Sequence, residues 1–120
     1  MSGFLEIRRQ TAPSTPEAEF SRIAAAAANT RPDLVRAAAD AWNNGHPAGQ
    51  RPSGFTGPVL VLSGAEDPLI TAEVVASAIA PRFDPAGLAL AEIGQSTHWP
   101  HVERPAAVAG EIDRFLDRME

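Results

Sequence analysis

Two residues of this chain have the types and the placement for acid–base chemistry. Asp67 closes the stretch P-V-L-V-L-S-G-A-E-D, and His98 lies in G-Q-S-T-H-W-P-H. Each follows closely on a short apolar run. A carboxylate that accepts from imidazole Nδ1 fixes the tautomer of the ring and steadies the imidazolium. The other ring nitrogen is then free to act as general base. Taken alone, a strand-end Asp is an ordinary turn or capping residue, and one loop His is an ordinary surface residue. The case for chemistry rests on having both, acid before His. Glu66 is the alternative acid, one residue earlier and directed to the other side.

The elements that must position this pair can be read from the flanking sequence. Val59-Leu60-Val61-Leu62 is apolar without polar alternation, which predicts a strand buried on both faces in a parallel, helix-covered sheet. Thr71 is placed to cap a helix over about 72–80, with Val74, Val75, Ala78 and Ile79 as its apolar positions and Pro81 as its stop. Asp84-Pro85-Ala86-Gly87 reads as a turn, and Leu88 to Ile93 as a second strand. Strand, helix, strand at this spacing is a βαβ unit, right-handed with parallel strands in nearly all cases. The turns after its two strands then leave the sheet on one edge, where α/β folds place their chemistry. A last helix starts near Pro105 and ends near Met119, with Val108, Ile112, Phe115, Leu116 and Met119 forming an amphipathic face. Glu103 is expected to interact with the N-terminus of that helix. Trp99 is expected to pack in the loop and His101 to lie at the surface or at a helix start.

The N-terminal half reads as helical. Residues 3–9 alternate briefly and suggest a short strand. Ser14 precedes Glu17 at capping-box spacing, which predicts a helix over about 15–28 carrying Phe20, Ile23 and an alanine run. Thr30 is placed to cap a second helix over about 31–42, with Leu34, Val35, Ala38 and Trp42 at helical spacing and Trp42 as a core anchor. Asn43-Asn44-Gly45 stops it. Residues 46–57 hold three Gly and two Pro and read as a linker into the strand.

Composition narrows the function further. The chain has 120 residues, 44% of them hydrophobic, and a net charge of −5. The negative balance argues against a nucleic-acid or anionic-membrane partner. Cysteine is absent, which excludes disulfides, thiolate metal sites and a cysteine nucleophile. The three His are scattered with no H-x-x-x-H pair, so no metal or other cofactor is expected. No 18-residue apolar span and no N-terminal signal-type segment occurs, which gives a cytoplasmic expectation.

The same residues carry a family resemblance. P-V-L-V-L-S-G-A-E-D-P resembles the seventh strand of the α/β-hydrolase superfamily with its acid turn. G-Q-S-T-H-W-P-H-V-E-R-P-A-A-V resembles the exit of the eighth strand, with the catalytic His leading into the last helix, and the terminal E-I-D-R-F-L is similar as well. The order of acid and His agrees with that family's order of Ser, Asp or Glu, His. The resemblance covers about Pro58 to Leu116; the earlier helices are only loosely similar to a helical cap. Thr97 stands where the family often has Gly.

The resemblance implies a partial α/β-hydrolase fold: one parallel βαβ unit with a terminal helix, preceded by two cap-like helices. Residues 1–52 would be the cap-like segment and linker, and 53–120 the C-terminal βαβα portion. It also implies hydrolysis of an ester or related acyl bond by a Ser-His-Asp triad, with Asp67 and His98 catalytic and a small acyl compound as substrate. No G-x-S-x-G and no H-G-G-type oxyanion segment occurs, so the nucleophile is expected outside these residues and the lone chain is expected to be inactive. An apolar strand with a free edge would seek a partner: a second copy, the chain's own 4–8 segment, or an N-terminal partner chain. The reading from a different class is a non-catalytic interaction module, a truncated hydrolase remnant.

Overall fold

The architecture was taken from a computed structural model, which describes residues 2–45, 47 and 51–119. Part of the expected 46–57 linker, including His46, lies outside the described residues. In chain order the elements are α1 (Ser2–Thr11), α2 (Glu17–Ala28), α3 (Pro32–Asn44), β1 (Val59–Gly64), α4 (Ala72–Val74), β2 (Leu88–Ile93), α5 (Pro100–Glu103) and α6 (Pro105–Asp117). Helix α4 continues as a π turn over Val75–Ile79 and a 3₁₀ turn over Ala80–Arg82. Strands β1 and β2 pair in parallel, with Val59 opposite Leu88 and Gly64 opposite Ile93. The chain is a mixed α/β structure built on a two-stranded parallel sheet.

Several local expectations hold. Both strands start where the sequence places them, and β1 runs two residues beyond Leu62. The Thr71 hydroxyl accepts from the Val74 amide at 3.3 Å and caps α4. Pro105 occupies the first turn of α6, which packs against both strands.

Other expectations are corrected. The 3–9 segment is a helix, not a strand. Leu5, Arg8 and Ala12 turn inward at helical spacing, and that period outweighs the brief alternation. As a helix it cannot pair along the sheet edge. Ser14 does not cap α2: the helix starts after Pro16 without a side-chain cap, and the Ser14 amide bonds instead to Glu103. Thr30 likewise turns back to the Ala26 carbonyl, and α3 begins after Arg31. Trp42 is no core anchor, being 82% exposed, and every residue of α3 is exposed. Helix α3 stands away from the rest, and the radius of gyration of 16.3 Å exceeds the roughly 14 Å of a compact domain this long.

The strand expected to be buried on both faces is only half-buried over Val59–Leu62 and becomes buried at Ser63 and Gly64. Two strands and the helices beside them supply too little cover for such an apolar run. The burial that exists is concentrated elsewhere. The buried apolar residues are Ala12, Phe20, Val75 and Ile93, whereas the buried polar ones are Arg8, Thr15, Ser63, Asp67, Ser96 and Glu103. Among the described residues the buried polar ones outnumber the buried apolar ones, and Asp67, Ser96 and Glu103 all lie on the connections that follow the two strands. Much of the polar burial thus lies at the carboxyl edge of the sheet, around the candidate site.

Candidate active site

Asp67 is held by the turn that follows β1. One carboxylate oxygen, Oδ1, accepts from the amides of Leu69 and Ile70 at 2.8 and 3.0 Å. The Asp67 amide bonds back to the Gly64 carbonyl at 3.2 Å. This is an Asx-type turn, in which a short carboxylate replaces a backbone acceptor. It engages one oxygen and leaves Oδ2 aimed away from the turn.

His98 is brought to that oxygen by the loop after β2. The loop leaves the strand through Gly94 and Gln95, the latter in the left-handed region at φ 53°. It is then stitched to the acid turn through the main chain: Ala65 donates to the Ile93 carbonyl at 3.0 Å and Glu66 to the Ser96 carbonyl at 2.9 Å. Gly64 permits this approach, because a Cβ there would stand 2.0 Å from the Thr97 carbonyl oxygen and 2.6 Å from that of Ser96. Helix α1 holds the loop from its other side, where the Thr11 carbonyl accepts from the His98 amide at 3.0 Å.

The result is a direct pair: His98 Nδ1 lies 2.9 Å from Asp67 Oδ2. The Asp67 side chain is 5% exposed and that of His98 is 26% exposed. An ionised carboxylate only accepts, so in the neutral ring Nδ1 carries the proton and Nε2 presents a lone pair. Burial pushes the Asp67 carboxyl up, but the amides of Ile70 and Leu69 and the His98 ring outweigh it and hold it below its ordinary value. The carboxylate is therefore ionised at neutral pH, as an orienting acid must be.

Both predicted site residues are thus brought together. Glu66, the alternative acid, is exposed, and the His98 ring bonds to Asp67 instead. His101 lies exposed in the first turn of α5, as expected. Trp99 packs edge-on against His98, with ring centroids 5.9 Å apart.

Glu103 is corrected: it is a buried clamp on the His loop, not a partner of the last helix. Its carboxylate accepts from the Thr97 amide at 2.7 Å and the Ser14 amide at 3.2 Å, and it lies 3.0 Å from the Thr97 hydroxyl. The Ser96 hydroxyl reaches it at 3.4 Å. The clamp gives Thr97 a structural use at the position where the resemblance leads one to expect Gly. The signal in the sequence was an acid five residues after the His, on the short helix α5 begun by Pro100.

The hydrogen bond of the His98 ring is the one to Asp67; among the described residues no serine hydroxyl bonds to it. Ser63 and Ser96 are buried, and Ser14, Ser21, Ser53 and Ser77 are exposed. Among the described residues no group of three His, Asp or Glu converges as metal ligands would, and no helix is long and apolar enough to cross a membrane. No family model, no curated protein and no solved structure matches this chain.

Proposed function

We propose that Asp67 and His98 are the orienting acid and the base of a nucleophilic hydrolytic centre of the α/β-hydrolase kind, acting on an ester or related acyl bond. The observation that carries the reading is the 2.9 Å contact between Asp67 Oδ2 and His98 Nδ1. It joins the turns after two adjacent parallel strands, in the order acid then His. In this reading His98 Nε2 takes the proton of a serine hydroxyl as its oxygen attacks the acyl carbon. It returns that proton to the departing alkoxide, and a water then repeats the sequence to release the acid. Asp67 stays ionised throughout and steadies the imidazolium. The serine and the oxyanion donors are assigned to sequence outside these 120 residues, which contain no nucleophile elbow.

The test uses the native gene product together with any partner chain it carries. A fluorophosphonate probe is expected to label a serine outside these residues, and p-nitrophenyl butyrate to be turned over. His98→Ala should reduce both to background, and Asp67→Asn should lower kcat on the order of 10⁴-fold. Full turnover in His98→Ala, or a native product with no labelled serine, overturns the reading. The isolated 120 residues are expected to show no turnover above background.

A non-catalytic interaction module is favoured by one observation, the apolar surface left open beside the sheet, where Leu90 is 52% exposed. In that case Asp67→Asn and His98→Ala leave the protein's phenotype unchanged.

A further inference from the structure

A groove of about 560 Å³ is lined by residues of α1, α2 and α5 and by Pro105 at the start of α6. That volume lies in the roughly 300–1,000 Å³ range of small-molecule sites. Ile23, Val102 and Pro105 give it apolar walls, and Arg8, Arg22 and His101 bring nitrogen groups to it. Glu19 also lines it, but is ion-paired with Arg22 at 2.6 Å.

Arg8 is the unusual member. It is 7% exposed, its Nε is buried without a hydrogen-bond partner, and its guanidinium donates to no described residue. It lies 3.5 Å over the Trp99 ring, a cation–π contact that satisfies no N–H. The acids that could have served it are committed elsewhere: Glu19 to Arg22, and Glu103 to the amides of Thr97 and Ser14. Only Nε is both buried and without an acceptor. The terminal nitrogens have no acceptor among the described residues and are not buried, so a carboxylate in the groove that Arg8 lines would supply the partner they lack.

We propose that this groove binds the carboxylate of a small amphiphile, its head on the terminal nitrogens of Arg8 and its hydrocarbon body along Ile23, Val102 and Pro105. The planar guanidinium fork matches a planar carboxylate in two parallel hydrogen bonds. The charged lining residues Arg8, Arg22 and Glu19 sum to one positive charge, which suits a single negative charge, and Glu103, acting on Arg8 through space, opposes a second. A phosphate dianion suits it less. The inference does not depend on the hydrolytic reading.

The test uses the full chain with Trp42→Phe, which leaves Trp99 as the one tryptophan, and octanoate as probe. Octanol and inorganic phosphate are titrated beside it. Octanoate is expected to bind saturably, to change Trp99 fluorescence and to shift the amide resonances of Arg8, Ile23 and Val102. Octanol should bind at least about tenfold more weakly, the usual worth of a charge-assisted hydrogen bond. Arg8→Gln should remove that difference. Ile23→Glu leaves Arg8 in place and should abolish binding of both probes. No saturable octanoate binding, octanol binding equally well, or phosphate binding as tightly overturns the proposal. So does unchanged octanoate affinity in folded Arg8→Gln or in Ile23→Glu.

Discussion

The α-carbon of Gly64 lies against the carbonyl of Thr97, so close that a methyl group there would stand 2.0 Å from the oxygen. Gly64 ends β1, and Thr97 immediately precedes His98. The absence of one side chain therefore sets the distance between the acid turn and the His loop. Gly64→Ala must push backbone against backbone, where no flexible side chain can yield. We expect it to destabilise the chain by about 1–3 kcal/mol, the usual cost of overpacking. It should also lengthen the contact between Asp67 and His98. Thermal unfolding measures the first effect, and the ¹⁵N shifts of the His98 ring measure the second. An unchanged Tm together with an unchanged Nδ1–H signal would show that the close approach is not what positions the pair.

Removal of Glu103 should loosen the same loop from below. In Glu103→Ala the Ser96 hydroxyl loses its acceptor in a buried place, and the amides of Thr97 and Ser14 lose theirs in a part-buried one. Each unsatisfied buried group costs about 1–3 kcal/mol, so a loss of at least about 2 kcal/mol is expected. Glu103→Gln keeps one acceptor oxygen and should recover part of it. Urea unfolding of the two variants separates them. If both lose the same amount, the carboxylate is not acting as a multi-point acceptor.

The held-down carboxyl of Asp67 makes a statement about stability and pH. Its folded value lies below the ordinary 3.8, so the folded state favours the ionised form. The stability this gives is fully present above the unfolded value. It is lost as the pH falls from about 4 through the folded value. Asp67→Asn should therefore be less stable than the parent at neutral pH, with the gap closing as acid is added. Urea midpoints from pH 7 to pH 2 measure this. A gap that stays constant to pH 2 would mean that the ionised carboxylate contributes nothing beyond its shape.

The positions of the site and of its two strands could be read in the sequence because each has a short-range cause. An apolar run, a Gly–acid turn and a Thr cap are local signals, and β1, Asp67 and α4 follow them. The helix in place of the expected 3–9 strand and the exposure of Trp42 depend on what each segment packs against. Alternation over seven residues cannot outvote a helical face carrying Leu5, Arg8 and Ala12, and a helical pattern in 31–42 does not say whether anything covers it. Glu103 was visible as an acid near a helix start. That its carboxylate faces back to Thr97 depends on the turn through Trp99 and Pro100, which no periodicity encodes.

The half-buried β1 leads to the remaining prediction. Each strand has one partner among the described residues, so each has an open edge of backbone donors and acceptors. The apolar surface beside it is incompletely covered: Leu69, Leu90, Ile112 and Leu116 are all exposed. A two-stranded sheet of this kind is weakly stable alone, and an unprotected apolar edge recruits another chain. The isolated chain should therefore associate as its concentration rises, through a second copy or an N-terminal partner segment at β1. Size-exclusion chromatography with light scattering should show a mass that grows with loading. Leu90→Lys places a charge on the exposed side of β2 and should shift the equilibrium toward monomer without unfolding α6. A compact monomer at every concentration, for both proteins, would mean that the open edge is tolerated and needs no partner.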